Sequence, residues 1–184
     1  MRRPGRDIDA DLGDLIRFGT IAEVDLDVAR CVVAVGEIRT GPIRWVSLRA
    51  GDTRTWSPPS IGESVLLICP EGDLAAAVAL PGLSCNAFPP AGNSLRELIT
   101  FRDGSVIAYD REAHAFELLL VDGATALIRA PGGLAIEGDV TISGKLDVAH
   151  SVAAEGDVTG AGISLKDHRH NGVQPGSGQS GKPL

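Results

Sequence analysis

The chain has 184 residues, and its formal net charge of −7 argues against nucleic-acid binding, because phosphate contacts require a basic surface. Aromatic residues make up only 4% of the chain, which is little for a conventional globular core, whereas 23 glycines indicate tight turns or close backbone packing. The three cysteines have unrelated spacings and are expected to stay reduced. We expect neither a transmembrane helix, which needs about 20 apolar residues, nor a secretory signal.

The N-terminal half predicts a short helix followed by a small all-β barrel. Ile8, Leu12, Leu15 and Ile16 recur at helical spacing among aspartates, so we expect a helix over 7–18 and assign 1–17 as an N-terminal helix or arm. Five alternating segments then follow at 19–25, 31–38, 43–48, 62–69 and 75–80, the last ended by a Pro-Gly pair. Turn signals roughly every 8–12 residues predict a five-stranded OB-like barrel over 18–83.

Residues 84–97 are rich in Pro, Gly, Ser and Asn and are predicted to be a linker. A neck region, 98–130, should contain a β-segment at 98–101 and a hairpin of 105–109 with 114–120, joined by a turn at 110–112. A further β-segment is expected at 124–130, before a Pro-Gly-Gly sequence.

The stretch 131–165, called the shaft below, alternates apolar even positions with polar odd positions. This period of two places the even side chains on one face, over several times the usual strand length of about 5–6 residues. Its predicted core residues are Leu134, Ile136, Val140, Ile142, Leu146, Val148, Val152, Ala154 and Val158.

One chain contains no second long strand that could cover this apolar face. Three identical chains wound about one axis would cover it, because each inward face would meet two copies of itself. The Gly-Asp-Val sequence at 138–140 recurs at 156–158, as in a β-helix or β-prism. The sequence therefore predicts a trimeric, triple-stranded β-helix; the alternatives are two ordinary sheet strands split at Gly144 or Gly156, and a single-chain β-helix, for which the stretch is short.

The segment 166–184 is predicted to form a pointed apex and a glycine-rich cap. His168 and His170 lie two residues apart, so an extended backbone puts them on one face. In one chain, the simplest interpretation is that both histidines are solvent-exposed side chains of a polar tail. Three chains would bring six imidazoles together, a ligand set that suits an octahedral divalent metal such as ferrous iron better than tetrahedral zinc. With every position filled by protein, such a metal would be structural. His150, within the shaft, is expected to pack, and His114 has no visible partner.

Motifs spread over nearly the whole chain point to a known family. They are IRFGTI at 16–21, WSPP at 56–59, GESVLL at 62–67, PEGD at 70–73, FRDG at 101–104, the two GDV repeats, DHRH at 167–170 and SGKP at 180–183. In this order they resemble the phage baseplate assembly protein V family, the central spikes of contractile phage tails and R-type bacteriocins.

The resemblance implies a homotrimer whose barrel attaches to the baseplate hub protein. It implies one structural ferrous iron per trimer, held by His168 and His170 of all three chains, and an apex that leads the tail through the target's outer membrane. The protein would be made and assembled in the bacterial cytoplasm as part of a virion or bacteriocin baseplate. The lysozyme domain of larger members is not recognised here, so we expect mechanical action, without enzyme activity or a small-molecule substrate.

Two other functions remain open from the residues alone. A metal-dependent hydrolase or oxygenase on a β-helical stalk would use His168 and His170 with a third ligand and an open coordination position. A carbohydrate- or nucleic-acid-binding barrel on such a stalk would need a basic or aromatic face on 18–83, and only Trp45 and Trp56 could supply the aromatic part.

Overall fold

The structure is a computed structural model that describes residues 14–169 together with Gly172 and Gly176. Its regular elements are β-strands and two short 3-10 turns, which confirms the all-β class. None of the described residues belongs to a helix that is long and apolar enough to cross a membrane. The chain divides after Leu127 into two compact units, each described by itself below. Most of the helix predicted for 7–18 lies outside the described residues; of its described part, residues 14–15 are helical and 16–18 belong to the first strand.

Six strands of the first unit form the barrel. They are β1 (Ile16–Asp25), β2 (Arg30–Val35), β3 (Ile38–Arg39), β4 (Arg44–Trp45), β5 (Ser64–Ile68) and β6 (Val78–Leu83), in the sheet order β3-β2-β1-β5-β6-β4. β1 pairs antiparallel with β2 and β5, whereas β4 runs parallel to β6. The sheet curls until Cys31 of β2 and Ile43, next to β4, exchange two backbone hydrogen bonds of 2.9 Å. This closure confirms the predicted barrel.

The barrel has a continuous apolar core. Its members follow each other at intervals of two residues within each segment, as period-two alternation requires, and none is more than 9% exposed. They are Ile21, Cys31, Val33, Ile43, Trp45, Val65, Leu67, Cys69, Ala77 and Ala79. Gly19 lets β1 and β2 approach closely, because a Cβ there would lie 2.4 Å from Cγ1 of Val33 and 2.9 Å from the carbonyl oxygen of Ala34. The three cysteines are free thiols, and burial raises the pKa of Cys31.

Three predicted strands differ from those observed. The segment 43–48 is reduced to the two residues of β4. The segment 31–38 is split by a turn at Gly36, whose φ of 60° breaks the strand and returns the chain as β3. The segment 75–80 begins later, since the Asp73 carboxylate accepts a hydrogen bond from the Ala75 amide and starts a 3-10 turn at Leu74–Ala76. β6 then continues through Pro81, which lies at a register shift against β5, where a missing amide donor is tolerated.

The neck is a separate antiparallel sheet of β7 (Glu97–Thr100), β8 (Val106–Asp110) and β9 (Ala115–Leu119), in that order. Its first turn places the Gly104 amide 3.0 Å from the Phe101 carbonyl oxygen. In the second turn, Asp110 Oδ1 accepts hydrogen bonds from the amides of Glu112 and Ala113, and these bonds lower the pKa of the Asp110 carboxyl. The predicted hairpin is therefore confirmed.

The second unit contains one small hairpin, β10 (Thr159–Gly160) with β11 (Ile163–Ser164). No regular strand lies between Leu119 and Thr159 among the described residues. The β-segment expected at 124–130 is therefore not observed, and most of the shaft also lacks regular strands. A single chain supplies no neighbour with which this extended backbone could pair.

Candidate functional site

The nine predicted core residues of the shaft are all exposed in the single chain. The eight larger ones, all but Ala154, are between 45% and 72% exposed, from Val158 to Val152. They form a row of aliphatic side chains along one stretch of backbone, not scattered surface residues. A contiguous exposed apolar surface of this kind marks an interface.

The backbone of the shaft bends at regular intervals. Bends occur at 138, 143–144, 149–150 and 155–156, and a turn follows at 161–162. These positions end successive six-residue units, called hexads below: 133–138, 139–144, 145–150, 151–156 and 157–162. The second position of every hexad is aliphatic and four of the fourth positions are apolar with a side chain, whereas the last positions are Gly138, Gly144, His150, Gly156 and Gly162.

This six-residue period is not predicted in the sequence analysis above, although the spacing of the glycines, in multiples of six, is enough to show it. The period-two pattern and the Gly-Asp-Val repeat were both recognised, and that repeat is offset by three hexads. A flat wall that bends after each hexad is what a three-walled prism needs, because its chain must change direction at every corner.

The fifth hexad folds into the hairpin that leads to the apex. Its two-residue turn is formed by Ala161 and Gly162, whose φ values of 51° and 81° match the type I′ geometry favoured in tight hairpins. The amide of Leu165 donates a 2.9 Å hydrogen bond to the Val158 carbonyl oxygen. Asp157 Oδ1 accepts one of 3.1 Å from the Lys166 amide, and hydrogen bonds from the Ser164 hydroxyl and this amide lower the pKa of Asp157.

His168 follows directly on this hairpin. Its Nδ1 lies 3.2 Å from the carbonyl oxygen of Leu165, so the hydrogen bond assigns the proton to Nδ1. In the neutral ring the lone pair then belongs to Nε2, the nitrogen that a metal would take, and a backbone carbonyl on the other nitrogen is the usual support of a ligating histidine. The role of His168 as a metal ligand stays a prediction.

The second predicted ligand, His170, lies outside the described residues. Within the described part of one chain, no group of three or more His, Cys, Asp or Glu side chains is placed to hold a metal ion. A His-x-His pair supplies only two ligands per chain, so the predicted six-histidine site would need the pair from all three chains.

The tryptophans of the barrel do not form a stacking platform. Trp45 is only 9% exposed and belongs to the core, whereas Trp56 is 60% exposed and packs against it with ring centroids 5.7 Å apart. Of the two tryptophans only Trp56 is exposed, and the barrel's other exposed aromatic side chain is Phe18 of β1, which is 74% exposed.

Comparisons with known proteins match both ends of this architecture. A family model described as the type VI secretion system/phage-baseplate injector OB domain matches residues 17–83, the barrel. A second model, the GpV apex motif, matches residues 162–183, which include both candidate ligands. A curated spike protein of Escherichia phage P2 is 34% identical over 203 residues, with 94% of each chain covered.

Proposed function

The chain belongs to the phage baseplate assembly protein V family, and we propose that it is the central spike of a contractile injection apparatus. In this proposal three copies form the spike, the barrel attaches it to the baseplate hub protein, and the apex pierces the outer membrane of the target bacterium. The particle is a phage tail or an R-type bacteriocin, assembled in the cytoplasm of the producing cell.

The exposed row of aliphatic side chains along the shaft is the observation that carries the proposal. Covering one such side chain is favourable by about 1.5–3 kcal/mol, so eight of them in water on a single chain are a strong drive to associate. Identical chains related by a threefold axis present the same row at the same height, and each copy then covers the other two. A wound trimer also pairs the extended backbone that finds no partner within one chain.

At the apex, His168 and His170 of each chain would hold one ferrous ion. Such a metal would supply an inert crosslink, because six protein nitrogens would leave no position for water or substrate. The chain's own contribution is the hairpin at 157–166 and the Leu165 carbonyl, which fix the His168 ring. Joined chain ends would resist unravelling under an axial load, which a membrane-piercing tip requires.

The polar odd face of the shaft suits brief passage through a membrane. Its carboxylates include Glu137, Asp139 and Glu155, and Lys145 forms a 2.8 Å ion pair with Asp147. Such a surface has no lasting affinity for lipid, so the work of insertion must come from contraction of the tail. Catalysis has no part in this mechanism.

Deleting the gene from the producing particle and supplying the chain in trans tests the proposal. Wild-type protein should restore density at the tail tip in electron micrographs and killing of target cells. The Val140→Asp variant, which places a charge on the inner face, should restore neither, whereas Thr141→Asp on the outer face should restore both. Particles that keep tip density and kill without the chain would contradict the proposal.

A further inference from the structure

His150 stands at a position that glycine occupies elsewhere in the shaft. It ends the third hexad, and the other four hexads end in Gly138, Gly144, Gly156 and Gly162. The backbone bends at His150 as it does at its glycine counterparts. Neither His150 nor the adjacent Gly144 and Gly156 has a positive φ, so this backbone accepts a side chain without strain. Among the five hexad ends, only His150 therefore has a bulky side chain, and imidazole is a side chain that can bind metals.

The register directs this ring toward the inside. Aliphatic residues keep to even positions across every bend, from Ile136 to Val140 and from Ile142 to Leu146, so the bends leave the sidedness of the chain unchanged. His150 lies between Val148 and Val152 on that same face. The charged residues on either side in the sequence, Lys145, Asp147 and Glu155, are all at odd positions, and Lys145 and Asp147 are paired with each other at 2.8 Å.

The trimeric shaft, on which this inference rests, would bring three such rings to one height. When each hexad of a chain forms one wall, neighbouring layers at a corner come from different chains and are offset by one hexad. His150 is then stacked between Gly144 and Gly156 of the other chains, and the missing side chains leave room for an imidazole. Val148 of the same hexad and Val152 of the next hexad flank His150 on the apolar face.

We propose that the three copies of His150 form a second metal site on the axis of the shaft, for a divalent transition metal of the zinc type. Three neutral imidazole nitrogens and one remaining position, taken by water or an anion, match the tetrahedral preference of such ions. An imidazole on an apolar face needs a partner for its polar atoms, and the metal provides one to all three rings at once. This site differs from the six-nitrogen apex in having an exchangeable position.

The test measures zinc in the full-length protein by elemental analysis, after incubation with excess Zn²⁺ and removal of unbound metal. It uses the His168→Ala/His170→Ala background, so that the apex contributes no metal. His150→Gly is the matched variant, since glycine ends the other hexads, and His150→Val is a second replacement that resembles the flanking residues. His114→Gln, in the neck turn, controls for histidine at an unrelated position.

The background protein and its His114→Gln derivative should each retain one zinc ion per trimer, and both His150 variants should retain none. Equal zinc in trimeric protein with and without His150 would overturn the inference and leave the spike assignment intact, because the rings could then be hydrogen-bonded to one another. Light scattering on the same samples separates the two proposals: a monomeric wild-type chain would overturn both.

Discussion

The barrel and the shaft use the same alternation of apolar and polar residues, yet only the barrel buries its apolar side. Ten barrel residues at odd positions converge on a core in which none is more than 9% exposed. In the shaft, the aliphatic side chains at even positions stay exposed, and the backbone before Thr159 belongs to no strand. Alternation determines which face of a strand is apolar. Whether that face is covered depends on whether the chain turns back on itself, which the barrel does and the shaft before Thr159 does not.

Val140→Asp should have the largest effect on stability, and it should act on the shaft and not on the barrel. In the proposed trimer it would place three carboxylates on the axis. A charge transferred to such an interior costs several kcal/mol per ion, so we expect the trimer to dissociate or its shaft to melt. Both tryptophans of the chain lie in the barrel, so their fluorescence reports on that unit and should change little. Thr141→Asp, on the outer face, is the control and should leave the mass by light scattering unaltered.

Replacing both candidate ligands by alanine, His168→Ala/His170→Ala, should abolish the proposed binding of iron at the apex. The expected results are loss of transition metal in elemental analysis of the purified protein and a lower melting temperature for the shaft, because the three chain ends are no longer joined. Tryptophan fluorescence of the barrel should follow the same unfolding curve as in the wild type. An unchanged iron content would exclude these histidines as ligands.

Leu67→Ala should destabilise the barrel and not the shaft. Leu67 is fully buried in the barrel core, and truncation of such a residue typically costs about 2–5 kcal/mol of unfolding free energy. Urea denaturation followed by tryptophan fluorescence should show this loss. Leu48→Ala is the control, since Leu48 is exposed and its truncation should change the free energy by less than about 0.5 kcal/mol. Loss of the trimer at low urea in Leu67→Ala would mean that assembly depends on the barrel.

The smallest effect concerns acid sensitivity of the neck turn. The folded state lowers the pKa of Asp110, so its hydrogen bonds to the Glu112 and Ala113 amides are intact above the unfolded value of about 3.9 and are lost as pH falls through the lower, folded pKa. The amide proton resonances of both residues should shift in that acid range. Asp110→Asn should abolish the titration, whereas Glu112→Gln, which keeps the same backbone donor, should preserve it.

The sequence alone predicted the barrel well because its contacts are within one chain and repeat every two residues. Where it was wrong, a local conformation prevailed: Gly36 splits one strand, and a register shift lets β6 run through Pro81. The hexads were not predicted because a single glycine indicates only a turn. The regular spacing of several glycines is what indicates that the shaft bends after every sixth residue. His168 was identified as a candidate from its spacing to His170, but the Leu165 carbonyl that orients its ring lies on a hairpin that required the structure.

The mass of the full-length protein in solution tests the central claim most directly, because the exposed shaft face has a function only if other copies cover it. Light scattering over a range of dilutions should give three times the chain mass of 19.1 kDa, with no dissociation at the lowest concentration measured. A mass of one chain at every concentration would contradict the account, since the aliphatic row would then remain in water.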